Sequence, residues 1–134
     1  MCKKIIIFLG TLVFILSSNS FSNEKFTIEF EWGNIPSCTT GNPNIVSNPI
    51  FKLKNVPEGT NTIYFQMRDL NRPAIYHGGG TVTYTKQTRI EPGAFQYKSP
   101  CPPDGPHTYE WTAIARNDQN KKIAETEAIR KYPE

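Results

Sequence analysis

The chain has 134 residues, with 15 lysines and arginines against 12 acidic residues, 11 prolines and three cysteines. That length holds one domain with a substantial core but not two. The basic residues are scattered in pairs, which excludes the clustered footprint of a nucleic-acid-binding protein, and there is no internal repeat or low-complexity tract.

The first residues read as an export signal. Lys3 and Lys4 precede a mostly apolar run from Ile5 to Leu16, and Ser20-Phe21-Ser22 has the small-x-small form of a cleavage site. The run is too short to cross a bilayer comfortably. Residues 1–22 are therefore expected to be a signal peptide, leaving residues 23–134 as one periplasmic or secreted domain with no stable membrane span. Cys2 leaves with the signal. The remaining cysteines, Cys38 and Cys101, lack the C-x-x-C spacing of zinc or redox sites, so one disulfide is the economical expectation in an oxidising compartment.

Phe26, Ile28, Phe30 and Trp32 alternate with polar residues, the period of a half-buried strand. Residues 33–49 are rich in Gly, Pro, Asn, Ser and Thr and read as a long loop held by its cysteine. A short strand begins at Ile50, and Val56-Pro57-Glu58-Gly59-Thr60 has the residue order of a tight turn. From Asn61 to Arg68 the apolar row Ile63, Phe65, Met67 continues into Asp69, a carboxylate at the end of a core face. Such a group needs partners. Tyr76-His77-Gly78-Gly79-Gly80 reads as a flexible turn, and Thr81 to Thr85 as a short strand. A polar loop over residues 86–93 and a brief strand from Ala94 to Tyr97 follow.

The most specialised stretch is Ser99 to Trp111, S-P-C-P-P-D-G-P-H-T-Y-E-W. Its four prolines forbid helix or central strand and predict a rigid loop. His107, Tyr109, Trp111, Ala113 and Ala115 then share one face of a strand ending at Arg116, so a histidine heads this core row as Asp69 ends the other. Residues 117–120 read as a hairpin connection. The tail from Lys121 to Tyr132 suits either helix or strand, with a strand partner to the preceding one the simpler topology. Six or seven short strands with closely spaced turns predict an all-β sandwich.

With these residues laid out, the chain resembles the phosphatidylethanolamine-binding protein family, also called Raf kinase inhibitor-like proteins, in a short secreted bacterial form. Asn55-Val56-Pro57-Glu58-Gly59-Thr60 resembles the V-P-x-G-T turn before that family's central strand. Asp69-Leu70-Asn71-Arg72-Pro73 resembles its D-P-D-x-P. Tyr97 to Pro103, followed by Gly105-Pro106-His107-Thr108-Tyr109, is similar to its Y-x-G-P-x-P-P and G-x-H-R-Y. The resemblance implies a Greek-key β-sandwich of two antiparallel sheets and a ligand-binding pocket lined by Asp69, His77, Pro102, Pro103, Gly105, His107 and Tyr109. Asn71, Ser99 and Thr108 depart from the family pattern, the last replacing an arginine and weakening the case for tight phosphate binding.

These residues point to a small-anion or phospholipid-headgroup binding protein, with protonated histidines donating to the anion and Asp69 orienting an imidazole. Affinity should then fall as pH rises through the usual histidine range. The alternative is a protein-interaction or inhibitor module with a vestigial pocket and a secreted protein partner. No catalytic residue, metal or cofactor is expected. Ser99 lacks a G-x-S-x-G setting, and Asp69 with two histidines would be the one metal-like grouping.

Overall fold

The computed structural model describes residues 24–134, so the expected signal peptide, residues 1–22, lies outside the described residues. Among the described residues nine strands form in chain order: β1 (Thr27–Glu31), β2 (Ile45–Ser47), β3 (Ile50–Lys54), β4 (Thr62–Asp69), β5 (Tyr76–Thr83), β6 (Arg89–Ile90), β7 (Gln96–Lys98), β8 (His107–Arg116) and β9 (Lys122–Tyr132). They make a three-stranded sheet β1-β3-β6, a four-stranded sheet β5-β4-β8-β9 and a two-stranded ribbon β2-β7, every pair antiparallel. Because β8 lies beside β4 rather than beside β7, neighbours in space are not neighbours in sequence, as a Greek-key sandwich requires. No helix among the described residues is long and apolar enough to cross a membrane.

The alternating rows do what their period demands. On β8, His107, Tyr109, Trp111, Ala113 and Ala115 are buried, and register places Tyr109 opposite Asp69, Trp111 opposite Met67 and Ala113 opposite Phe65. Across the sandwich, Phe51 of β3 stacks on Phe65 of β4 at 4.3 Å and meets Trp111 edge-on at 5.2 Å. These contacts fasten the two sheets face to face. Each fully buried side chain of this size contributes about 1.5–3 kcal/mol relative to exposure. Trp32 continues the aromatic row, edge-on to Tyr109 at 5.7 Å and to Tyr132 at 5.6 Å.

Several expectations are corrected. The glycine run is not a turn: β5 begins at Tyr76, and Gly78, Gly79 and Gly80 lie within it. A Cβ on Gly79 would stand 1.8 Å from the Phe65 carbonyl oxygen, and one on Gly80 would stand 2.4 Å from Phe95 Cβ. Glycine is required because β5 presses its backbone onto β4 and Phe95 covers its face. Residues 33–49 are not all loop, since β2 pairs with β7, and the polar loop over 86–93 contains β6. The tail, by contrast, is the strand the simpler topology expected: β9 pairs with β8 along its length.

Asn48 explains how the irregular segments are held. It is buried, its Oδ1 accepts from the amides of Gly93, Ala94 and Phe95 at 2.9–3.1 Å, and its Nδ2 donates to the carbonyls of Pro49 and Glu91. One amide side chain thus satisfies five backbone groups of two loops. Cys38 and Cys101 form the expected disulfide, 63 residues apart. It joins the loop after β1 to the proline loop, and Gly41 N donating to Cys101 O and Ser99 N to Asn44 O zip the same two segments together.

Candidate functional site

Asp69 closes β4 and His107 opens β8, both on the core face, so they meet where strand pairing stops. His107 Nδ1 lies 2.6 Å from Asp69 Oδ2. The other carboxylate oxygen, Oδ1, accepts from the backbone amides of Asn71 at 2.9 Å and Arg72 at 3.0 Å. Aspartate at a strand end readily captures amides two and three residues on, and here that turn fixes the carboxylate in place. With Asp69 an acceptor on both oxygens, the hydrogen on His107 sits on Nδ1 and the neutral ring turns a lone pair out at Nε2. Asn71 adds a second clasp, its Oδ1 accepting from Thr108 N at 2.7 Å, which anchors the start of β8.

His77 arrives from β5. Its Nδ1 donates to the Lys98 carbonyl of β7 at 2.9 Å, and its Nε2 is buried without a hydrogen-bond partner. The ring packs edge-on against Tyr109 at 5.6 Å. Burial lowers the His77 pKa below 6.5, outweighing the Lys98 carbonyl and the Asp69 charge, which pull it up. Burial, aided by the charge of Asp69, pushes the Tyr109 phenol well above its usual range, so it stays protonated.

Asp69, His77, Pro102, Pro103, His107 and Tyr109 come together around one cavity of about 50 Å³. Asp69 and His77 are each 2% exposed and His107 8%, so this is a buried polar cluster, not a surface coincidence. Its volume suits a single small group and excludes a whole lipid. Gly105 does not line it; with φ +101° it instead turns the loop just before β8. Residues the sequence reading did not place in the wall are Gly41, Pro43, Arg72, Ile75 and Cys101. The first two were implicit in the disulfide, which brings the Cys38 loop against the proline loop. A larger groove of about 640 Å³ runs past Lys25, Val56, Pro57 and Ile123 on another part of the surface, but no buried ionisable side chain faces it.

The facing antiparallel sheets have the fold of the phosphatidylethanolamine-binding proteins. Two solved structures share it. CT736 of Chlamydia trachomatis, described as a phosphatidylethanolamine-binding protein homolog, aligns with a TM-score of 0.59 and 17% identity over 84% of this chain and 99% of its own. Escherichia coli YbcL, described as a member of the mammalian family, aligns with a TM-score of 0.58 and 16% identity over 81% of this chain and 98% of its own. No family model and no curated protein matches the chain.

Proposed function

We propose that residues 23–134 form an exported, non-catalytic binding protein of the phosphatidylethanolamine-binding protein family whose cavity takes a small anion, either free phosphate or the phosphate of a phospholipid headgroup. The carrying observation is the 2.6 Å contact between His107 Nδ1 and Asp69 Oδ2 in a buried cavity. The carboxylate holds the ring by Nδ1, which leaves Nε2 as the atom a protonated ring would offer to an anion. His77 contributes less charge than the sequence reading assigned it, because burial favours its neutral form. A binding role rather than hydrolysis is supported by Ser99, which is fully buried and whose Oγ accepts from Asn44 N at 3.0 Å. Export is supported by the apolar run over residues 5–16 and by the disulfide.

Histidine-resolved NMR titration with inorganic phosphate and phosphoethanolamine tests this reading. Saturable shifts at His77 and His107, weakening as pH rises and lost in His107→Ala but not in Lys121→Ala, are expected. Shifts absent from both rings, or spread without saturation, favour the second reading. That reading, a protein-interaction module, draws on Ile75 and Tyr76, which are 39% and 65% exposed, Ile75 lining the cavity and Tyr76 next to it in sequence.

A further inference from the structure

The tautomers described above pose a difficulty for any anion once both rings are neutral. Both imidazoles spend their Nδ1 hydrogen on protein oxygens, His107 on Asp69 and His77 on the Lys98 carbonyl. In their neutral forms both therefore offer an anion a lone pair, which repels it, and Asp69 adds a negative charge behind one of them. A permanent cation is needed. Arg72 is a permanent cation in the cavity wall, and its backbone amide is held by Asp69 Oδ1 at 3.0 Å beside the aspartate–histidine pair. Its guanidinium is engaged elsewhere, with Nη2 at 3.1 Å from Asp104 Oδ2. Asp104 belongs to the proline loop, between the cavity residue Pro103 and the turn at Gly105.

We propose that Arg72 is the principal charged contact of the anion and that Asp104 competes for it as an internal surrogate, so that ligand binding exchanges one oxyanion for another on the same guanidinium. The inference rests on the anion-binding reading above. The side chains of Arg72 and Asp104 are 52% and 70% exposed, and an ion pair so open to water is easily broken. A guanidinium also suits the flat, bidentate recognition of phosphate or carboxylate oxygens that an ammonium does not. The charge paired with the Arg72 guanidinium is Asp104 from the proline loop, while Asp69 takes the Arg72 backbone amide and Lys98 presents its carbonyl to His77. Exchange of partner leaves the fold untouched and gives the proline loop a reason to respond to ligand.

The experiment is calorimetric titration of the mature, oxidised protein with inorganic phosphate at pH 7.5, repeated with phosphoethanolamine and with phosphatidylethanolamine vesicles to separate a free anion from a lipid headgroup. Arg72→Gln should bind phosphate at least about tenfold more weakly, as expected for loss of a charge-assisted contact. Asp104→Asn should bind roughly threefold more tightly, the range of an exposed ion pair removed from competition. That gain cannot come from misfolding. If wild type binds but Arg72→Gln stays within twofold of it, or Asp104→Asn fails to gain, the inference is overturned while the cavity reading stands. If wild type shows no saturable binding, both fall together.

Discussion

The Asp69–His107 pair allows an unusually direct test through the conservative change Asp69→Asn. Asparagine matches the shape of aspartate but replaces one oxygen with NH₂, and the protein decides which atom goes where. The amides of Asn71 and Arg72 both point at Oδ1, at 2.9 and 3.0 Å. Turning an NH₂ towards them leaves two donors facing a donor. At this partly buried turn the lower end of the usual cost applies, about 1 kcal/mol per amide, so the correct orientation wins by roughly 2 kcal/mol, or about thirtyfold in population. The amide nitrogen then faces His107 Nδ1 and must donate to it, which forces the neutral imidazole to move its hydrogen to Nε2. Neutral His107 becomes a donor into the cavity without taking up a proton. Long-range ¹H–¹⁵N spectra distinguish the two tautomers, and Nε2 should carry the hydrogen in the variant and Nδ1 in the wild type at high pH. Phosphate binding by the variant should also depend less on pH. A variant whose Nδ1 remained protonated would refute the claim that Asp69 sets the tautomer.

Reducing the disulfide, or making Cys38→Ala with Cys101→Ala, should cost about 4 kcal/mol in the chain-entropy account of a 63-residue separation, read as a fall in denaturant midpoint. Gly79→Ala should prevent folding or cost upwards of about 3 kcal/mol, because its Cβ would stand 1.8 Å from a backbone oxygen that cannot step aside; a normal thermal midpoint would contradict the close strand approach. Asn48→Ala should cost about 3 kcal/mol, read as a fall in denaturant midpoint, since five backbone partners lose their bonds at once. The folded-state pKa of His77 lies below the unfolded value, so the unfolded chain takes up the proton first as pH falls. The stability it contributes is therefore complete above about pH 6.5 and is lost through the window below it, and His77→Asn, which keeps a donor for Lys98 O, should flatten that part of the profile.

What was legible in the chain follows from where period and chemistry coincide. The ten residues of β8 and the eight of β4 are long enough for alternation to declare a face, and an ionisable residue at the end of each apolar row marks the polar seam. Strands β2 and β6, with three and two residues, carry no period of their own; they exist because β7 and β3 offer them hydrogen bonds. The glycine run in β5 was misread for a different reason. Glycine signals freedom in a turn and close approach in a strand, and the residues that separate the two meanings, Phe65 and Phe95, are distant in sequence. Arg72 was hidden in a motif read for its aspartate and proline, although a turn that holds Asp69 by the Arg72 amide necessarily brings the arginine to the same place.

The position of the cavity also follows from the architecture. Along most of β4 and β8 an inward side chain meets an aromatic ring from the opposite sheet, as Phe65 and Trp111 meet Phe51. Beyond Trp111 the next inward residue of β8, Tyr109, meets Trp32 edge-on at 5.7 Å, and past it the two rows end in His107 and Asp69. Loops close this end of the sandwich and bring prolines, the disulfide and Ile75 around the two ionisable groups. Pro100 and Pro102 are fully buried there, and they have no amide hydrogen to satisfy. A carboxylate and an imidazole are tolerated at this sheet end because the turn amides and each other supply their partners, and the covalent closure between Cys38 and Cys101 keeps the walls from collapsing onto them. Tyr109 belongs to both the core and the cavity wall, but Arg72 and Asp104 lie outside the core, so changes at these two can alter binding without touching the sandwich.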